Sequence, residues 1–108
     1  MADVHINGDL ITDWPTFHRV FAEALGFPLF YGNNMNAWID CLTYLREATG
    51  MARVVLTGAE LLTLSISGTE SLSKRCPEPL SALVECVAAV NRRYVFRGEP
   101  PAVHLLLT

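Results

Sequence analysis

Enzyme chemistry needs a nucleophile, a base to activate it, or a metal to hold, and few residues in this sequence can supply any of them. Cys41 directly follows Asp40. Neighbours on a helix point about 100° apart, so if Asp40 faces solvent, Cys41 turns toward the flank or the core, where thiols are inert. The cysteines, Cys41, Cys76 and Cys86, lack CxxC spacing, and His5, His18 and His104 are scattered along the chain, so no metal site is expected. The sequence contains no GxSxG, no dinucleotide glycine fingerprint and no HExxH, and it lacks a phosphate-cradling loop. Catalysis and cofactors are therefore not expected. What remains is a binding chemistry. Asp40, beside the aromatic and amide groups of Phe30 to Asn34, can take arginines through charge-assisted and often paired hydrogen bonds.

Local elements must aim that carboxylate. Gly26 and Pro28 end the preceding helix, since glycine accepts the left-handed position after a helix and proline cannot continue one. Gly32, Asn33 and Asn34 suit a turn with positive φ, and either asparagine can cap the next helix. From Met35 the spacing is helical. Met35, Trp38, Ile39, Leu42 and Leu45 form an apolar stripe, while Asn36, Asp40, Thr43 and Glu47 fall on the other side. This places Trp38 in the core and Asp40 in solvent, on the second turn of a capped helix. The helix stops over Glu47-Ala48-Thr49-Gly50.

The rest of the chain reads as scaffold. A short strand at Val4 to Ile6, expected at the centre of the sheet, is followed by the turn Asn7-Gly8-Asp9. Asp13 caps a helix with Pro15 in its first turn, and Trp14, Phe17, Val20, Phe21, Ala24 and Leu25 repeat on one side. Residues 52 to 57 are a run of mostly β-branched apolar residues without alternation, which suits a strand covered on both faces. Residues 59 to 64 suggest a short helix with Leu61, Leu62 and Leu64 inward. Residues 65 to 76, polar and serine-rich, read as a loop. After Pro77, Leu80, Leu83, Val84, Val87, Val90 and Tyr94 mark the last helix, with Arg92 and Arg93 as charges suited to its C-terminal dipole. Residues 102 to 107 make the final strand. The order βααβααβ predicts an α/β fold in one domain spanning 1–108, a three-stranded parallel sheet packed with about four helices.

Composition bounds the partner. The chain has 108 residues, 51% hydrophobic and 18% charged, with a net charge of −3. It reads as a globular chain with too few massed cations to track nucleic acid. A basic protein partner fits the mild acidity better, and no membrane partner is indicated. An odd cysteine count and a start, MADVHINGDL, without a basic and apolar leader pattern point to reduced thiols and the cytoplasm.

The segment YGNNMNAWIDCLT, with Ile6-Asn7-Gly8 and Leu25-x-x-Pro28 before it, resembles the barstar family of ribonuclease inhibitors. The likeness is dense over residues 4 to 45, and from about Met51 it is one of element order. It implies an inhibitor, not an enzyme, that plugs a basic ribonuclease active site and is a monomer when free. It also implies that Phe30, Tyr31, Gly32, Asn34, Asn36, Asp40, Tyr44 and Glu85 form the partner-binding set, with Asp40 in the place of substrate phosphate. The chain departs from the family pattern in several places. Asn36 stands where the family has a second aspartate, and Phe30 where it has a tyrosine. The family's interface tryptophan falls at Leu45, or at Tyr44 if the helix end shifts, and Glu85 is the candidate for its final-helix glutamate. These departures keep open an immunity or interaction role toward a different toxin, with a small enzyme as the third reading.

Overall fold

The computed structural model describes residues 2–47 and 50–108. Among these, β1 (Ala2–Asn7) leads through a 3-10 turn to α1 (Trp14–Leu25) and α2 (Met35–Leu42). Then come β2 (Leu62–Ser67), α3 (Thr69–Arg75), α4 (Pro77–Phe96) and β3 (Val103–Leu107). The strands form one parallel sheet in the order β1-β2-β3. The α/β architecture, the parallel sheet and the βααβααβ order are as expected.

Three expectations are corrected. First, β1 lies at an edge and β2 is central, because each crossover moves the chain one strand further in the same direction. Second, β2 is 62–67 rather than 52–57. Right-handed crossovers advancing one way put their helices on one face of the sheet, so the other face stays open. The central strand must then alternate. Leu62, Leu64 and Ile66 are buried, while Thr63, Ser65 and Ser67 are half-buried. Third, the short helix occupies 69–75 rather than 59–64, so the serine-rich stretch is strand and helix, not loop. Leu61 is exposed, unlike Leu62 and Leu64.

Residues 52–57 instead run as an irregular connector strapped to the helices. The Arg53 amide donates to Leu25 O, the Leu56 amide to Leu45 O, and Leu56 is buried. Arg46 holds the connector's far end by donating to Pro100 O at 2.7 Å and Glu60 O at 3.1 Å. The stop expected over Glu47 to Gly50 includes Ala48 and Thr49, which lie outside the described residues. Helix α2 itself ends earlier, at Leu42, and passes into a turn.

Helix α1 starts as predicted, with Asp13 accepting from the Thr16 amide at 2.9 Å in a reciprocal capping box. It ends at Gly26, whose φ of 66° is left-handed. A Cβ there would lie 2.7 Å from the Arg53 Cβ, so the position needs glycine for both reasons. Phe17, Phe21 and Leu25 of α1, Trp38 and Leu42 of α2, and Leu83, Val90 and Tyr94 of α4 close over the inner face of the sheet. Tyr94 joins two of these layers. Its hydroxyl donates to Leu42 O and accepts from the Leu45 amide, both at 2.8 Å, so α4 fixes the end of α2 through a buried hydrogen-bond pair.

Candidate partner-binding site

The loop from Phe27 to Asn34 is built around a turn in which the Tyr31 amide donates to Pro28 O at 2.9 Å. That turn throws Leu29 and Phe30 outward, with Phe30 77% exposed, and sends Tyr31 inward. The Tyr31 ring packs on Phe27 at 4.8 Å, and its hydroxyl is hydrogen-bonded to His18 Nδ1 at 2.6 Å. Burial lowers the His18 pKa and raises that of Tyr31, so the pair is neutral imidazole and neutral phenol. Trp14 stacks on the His18 ring. The loop is therefore anchored from below by Tyr31, which also lines a hollow beside Asp40.

Asn33 takes the left-handed conformation in this loop, with φ of 53°, and Asn34 supplies the cap. The Asn34 Oδ1 accepts from the Ala37 amide at 2.8 Å, while its Nδ2 donates back to Gly32 O at 3.2 Å. One side chain thus ties loop to helix and fixes the direction of α2. On that helix Trp38 is fully buried against Phe21, at 5.7 Å between rings, and Asp40 is exposed. Asn36, Asp40 and Tyr44 follow one another at a spacing of four, on the outward side.

Between Phe30 and Gly32 of the loop and Ala37, Asp40 and Cys41 of α2 lies an open hollow of ≈ 290 Å³. Its walls are mainly apolar, and Asp40 supplies the carboxylate. The Cys41 thiol is buried, and burial together with the nearby Asp40 pushes its pKa up to about 11. It is a protonated packing group at neutral pH, not a nucleophile. Cys41, Cys76 and Cys86 are all unpaired. Among the described residues no group of His, Cys, Asp or Glu could hold a metal ion.

Asp40 is already paired. Arg93 of α4 reaches across to its Oδ1 at 2.8 Å and also donates to Thr43 Oγ1 at 3.1 Å. Sequence reading took Arg93 for a charge at a helix end. It missed that Arg93 and Arg97, one turn apart, face α2 together. Arg97 donates to Thr43 O at 2.8 Å and lies over the rings of Tyr94 and Tyr44, at 4.5 and 5.6 Å. The signal was present as two stripes of matching period, Asp40-Thr43-Tyr44 and Arg93-Arg97. It has meaning only once α2 and α4 are known to be neighbours.

The hollow and the α2 face gather Phe30, Gly32, Asn36, Asp40 and Tyr44, with Tyr31 and Asn34 as supports. Glu85 is not brought to this cluster. It lies roughly 12 Å along the α4 axis from Arg93 and is turned about 80° from it.

A family model described as Barstar (barnase inhibitor) matches residues 1–106. The chain belongs to the barstar family. The match runs through the second half of the chain, where the sequence resembled barstar only in element order, and so includes β2, α3, α4 and most of β3. No curated protein matches the chain. Among the described residues no helix is long and apolar enough to cross a membrane. On the outward stripe from Asn36 to Tyr44, Asn36 is uncharged, and the one acid, Asp40, is met by Arg93.

Proposed function

We propose that the protein inhibits a basic ribonuclease of the barnase type, in the cytoplasm, by seating the Phe30–Asn34 loop and the outward face of α2 in the nuclease active site. The observation that carries this reading is the exposed Asp40 carboxylate at the edge of the ≈ 290 Å³ hollow, on a frame fixed by the Asn34 cap and the Tyr31–His18 anchor. Arginines that hold substrate phosphate accept a carboxylate in the same place. Phe30, with its ring in solvent, offers the apolar area that such an interface desolvates. The partner is a protein, with no role for nucleic acid, membrane, metal or cofactor, and no reaction is catalysed.

The experiment is capture from cells that carry the protein, using the tagged full chain, followed by RNA-cleavage and binding-kinetic assays. A ribonuclease should co-purify and be inhibited one-to-one. Asp40→Ala should raise its dissociation rate far more than Glu47→Ala, because partner arginines left buried and unpaired are costly, on the order of 2–5 kcal/mol. Both variants should lose less than about 1 kcal/mol of stability, since an exposed acid, even one paired as Asp40 is, contributes no more than that. If Asp40→Ala binds and inhibits as the parent does, the phosphate-mimic role is wrong.

A second reading, immunity to a different toxin, draws on Asn36 and on the Arg93 pairing, which leave this face less acidic than a strongly basic cleft would favour. Capture of a toxin without ribonuclease activity would decide for it.

A further inference from the structure

The sheet ends on one side at β3, and that edge is unprotected. The Leu62 amide donates to Ala102 O and the Thr108 amide to Ile66 O, each at 2.8 Å. A strand residue turns its N–H and C=O to the same side, and successive residues alternate. The Ala102 carbonyl and residues 104, 106 and 108 therefore bond β2, while Val103, Leu105 and Leu107 turn their backbone groups outward. At Val103 those groups are satisfied by one side chain. Asn91 of α4 accepts from its amide at 3.0 Å and donates to its carbonyl at 2.9 Å, and its Oδ1 also accepts from the Ala102 amide at 3.0 Å. Among the described residues nothing meets the outward groups of Leu105 and Leu107.

Natural edges are blunted by lysine, proline, bulges or inward charges. No Asp, Glu, Lys or Arg occurs from Pro100 to Thr108, and Leu106 and Leu107 are 45% and 41% exposed. The flank of α4 on this side continues the pattern. Asn91 reaches β3, so the residues in line with it, Val84, Ala88 and Val95, share its side, and Val84 and Val95 are exposed. Val84, one of the residues whose spacing marked the last helix, belongs to this flank rather than to the core. Because α4 returns antiparallel to the strands, Val84 and Ala88 lie toward the Leu105–Leu107 end. The opposite edge is different: β1 carries the exposed Asp3, and α1 beside it carries Arg19 and Glu23.

We propose that this edge joins a second copy of the chain, β3 pairing antiparallel with β3 about a two-fold axis through Leu106. Two identical surfaces place every charge opposite itself or its own neighbours, so an edge and flank without charge suit self-association better than any other face. Asn91 sets the register. With Val103 occupied, only Leu105 and Leu107 can form the bonded pairs, each opposite the other in the second copy. Leu106 then meets its own equivalent on the open face of the sheet, where non-bonded pairs approach most closely. On the helix face Leu105 and Leu107 meet across the axis beneath Val84 and Ala88. Arg93 is turned about 200° from Asn91 around α4, so the Asp40 face remains free in such a dimer.

A five-residue strand and a short flank make an interface smaller than the ~1,200 Å² at which specific complexes begin, so association is to be looked for at high concentration. Sedimentation velocity on the full chain, from about 10 μM to about 1 mM, should show a monomer shifting to dimer. Leu106→Lys sets like charges across the axis. Leu107→Pro deletes an outward amide without touching the ladder to β2. Each should weaken association at least about tenfold, a loss of ~1.4 kcal/mol, with unchanged circular dichroism, whereas Leu10→Lys, at an exposed leucine elsewhere, should associate as the parent does. Independently of any variant, the amides of Leu105 and Leu107 should gain hydrogen-exchange protection at high concentration. A parent monomeric throughout, equal association in the two edge variants, loss in Leu10→Lys, or no gain in protection at those amides would each overturn the proposal.

Discussion

Removing Arg93 should tighten nuclease binding, a direction opposite to that of most interface substitutions. In the free protein its guanidinium holds Asp40 Oδ1 at 2.8 Å, and the two side chains are 47% and 57% exposed. A partner arginine can take that carboxylate only by displacing Arg93. Exposed pairs of this kind are worth about 0.2–1 kcal/mol, with solvent screening most of the attraction. Arg93→Ala should therefore improve affinity by roughly 1.5- to 5-fold. Part of the gain should appear in the association rate at low salt, because one positive charge fewer faces a basic enzyme, and should fade as salt rises. The contribution from displacement should shrink as well, because the exposed Asp40–Arg93 pair is itself screened by salt, leaving only its hydrogen-bond part. Thr43, which also accepts from Arg93, keeps its own bond to Ile39 O at 2.7 Å, so the variant should lose less than about 1 kcal/mol of stability. The assay is binding kinetics of the captured ribonuclease with parent, Arg93→Ala, Asp40→Ala and the double variant, at about 0.1 M and about 1 M salt. At high salt the gain should vanish in the Asp40→Ala background, since nothing remains to be displaced. Weaker binding of Arg93→Ala, or an equal gain with Asp40 absent, would refute the displacement argument and make Arg93 a contact or positioning residue.

The framework gives two further predictions. Tyr94→Phe should destabilise the fold by roughly 1–3 kcal/mol in a denaturant melt, because it orphans the buried Leu42 carbonyl and Leu45 amide, and a stability unchanged within error would show that α4 does not fix the end of α2. Burial lowers the His18 pKa below its usual 6.5, so below that value the unfolded chain binds the proton more readily than the folded one. The stability that depends on neutral His18 is complete above about pH 6.5 and declines as pH falls through and below it, so melts at pH 7.5 and 5.5 should differ less for His18→Gln than for the parent.

The fold was legible where local physics and tertiary setting agree. The Asp13 capping box, the Gly26 stop, the Asn34 cap and the apolar stripes of α1 and α2 are each written within a few residues and need no knowledge of neighbours. β2 was misread because its pattern depends on a global fact. Leu62-Thr-Leu-Ser-Ile-Ser alternates, as a strand with one wet face must, but alternation counts against a strand if a parallel sheet is assumed to be covered on both sides. A mostly apolar run without alternation at 52–57 then looked the better strand. It is apolar because it lies against the ends of α1 and α2, where Leu56 is buried without belonging to the sheet. Val84 illustrates the same gap: helical period cannot separate a stripe that faces the core from one that faces the flank of an edge strand.

Tyr31 and Phe30 show why the candidate site was less legible than the frame. Both are aromatic, adjacent and in the same motif, and sequence gives no reason to treat them differently. The turn closed by Pro28 O assigns one to solvent and the other to His18, thirteen residues earlier in the chain. Asp40 was readable as an outward acid because helix geometry alone settles that. Its pairing was not, since Arg93 lies 53 residues further on and approaches only because Tyr94, next to it, anchors α4 on the end of α2. The charge that a partner meets on this surface is therefore set by helix packing as much as by residue type. On the function proposed, an acid already paired with Arg93 has a built-in competitor, so this surface should discriminate against partners whose arginines cannot outbid Arg93.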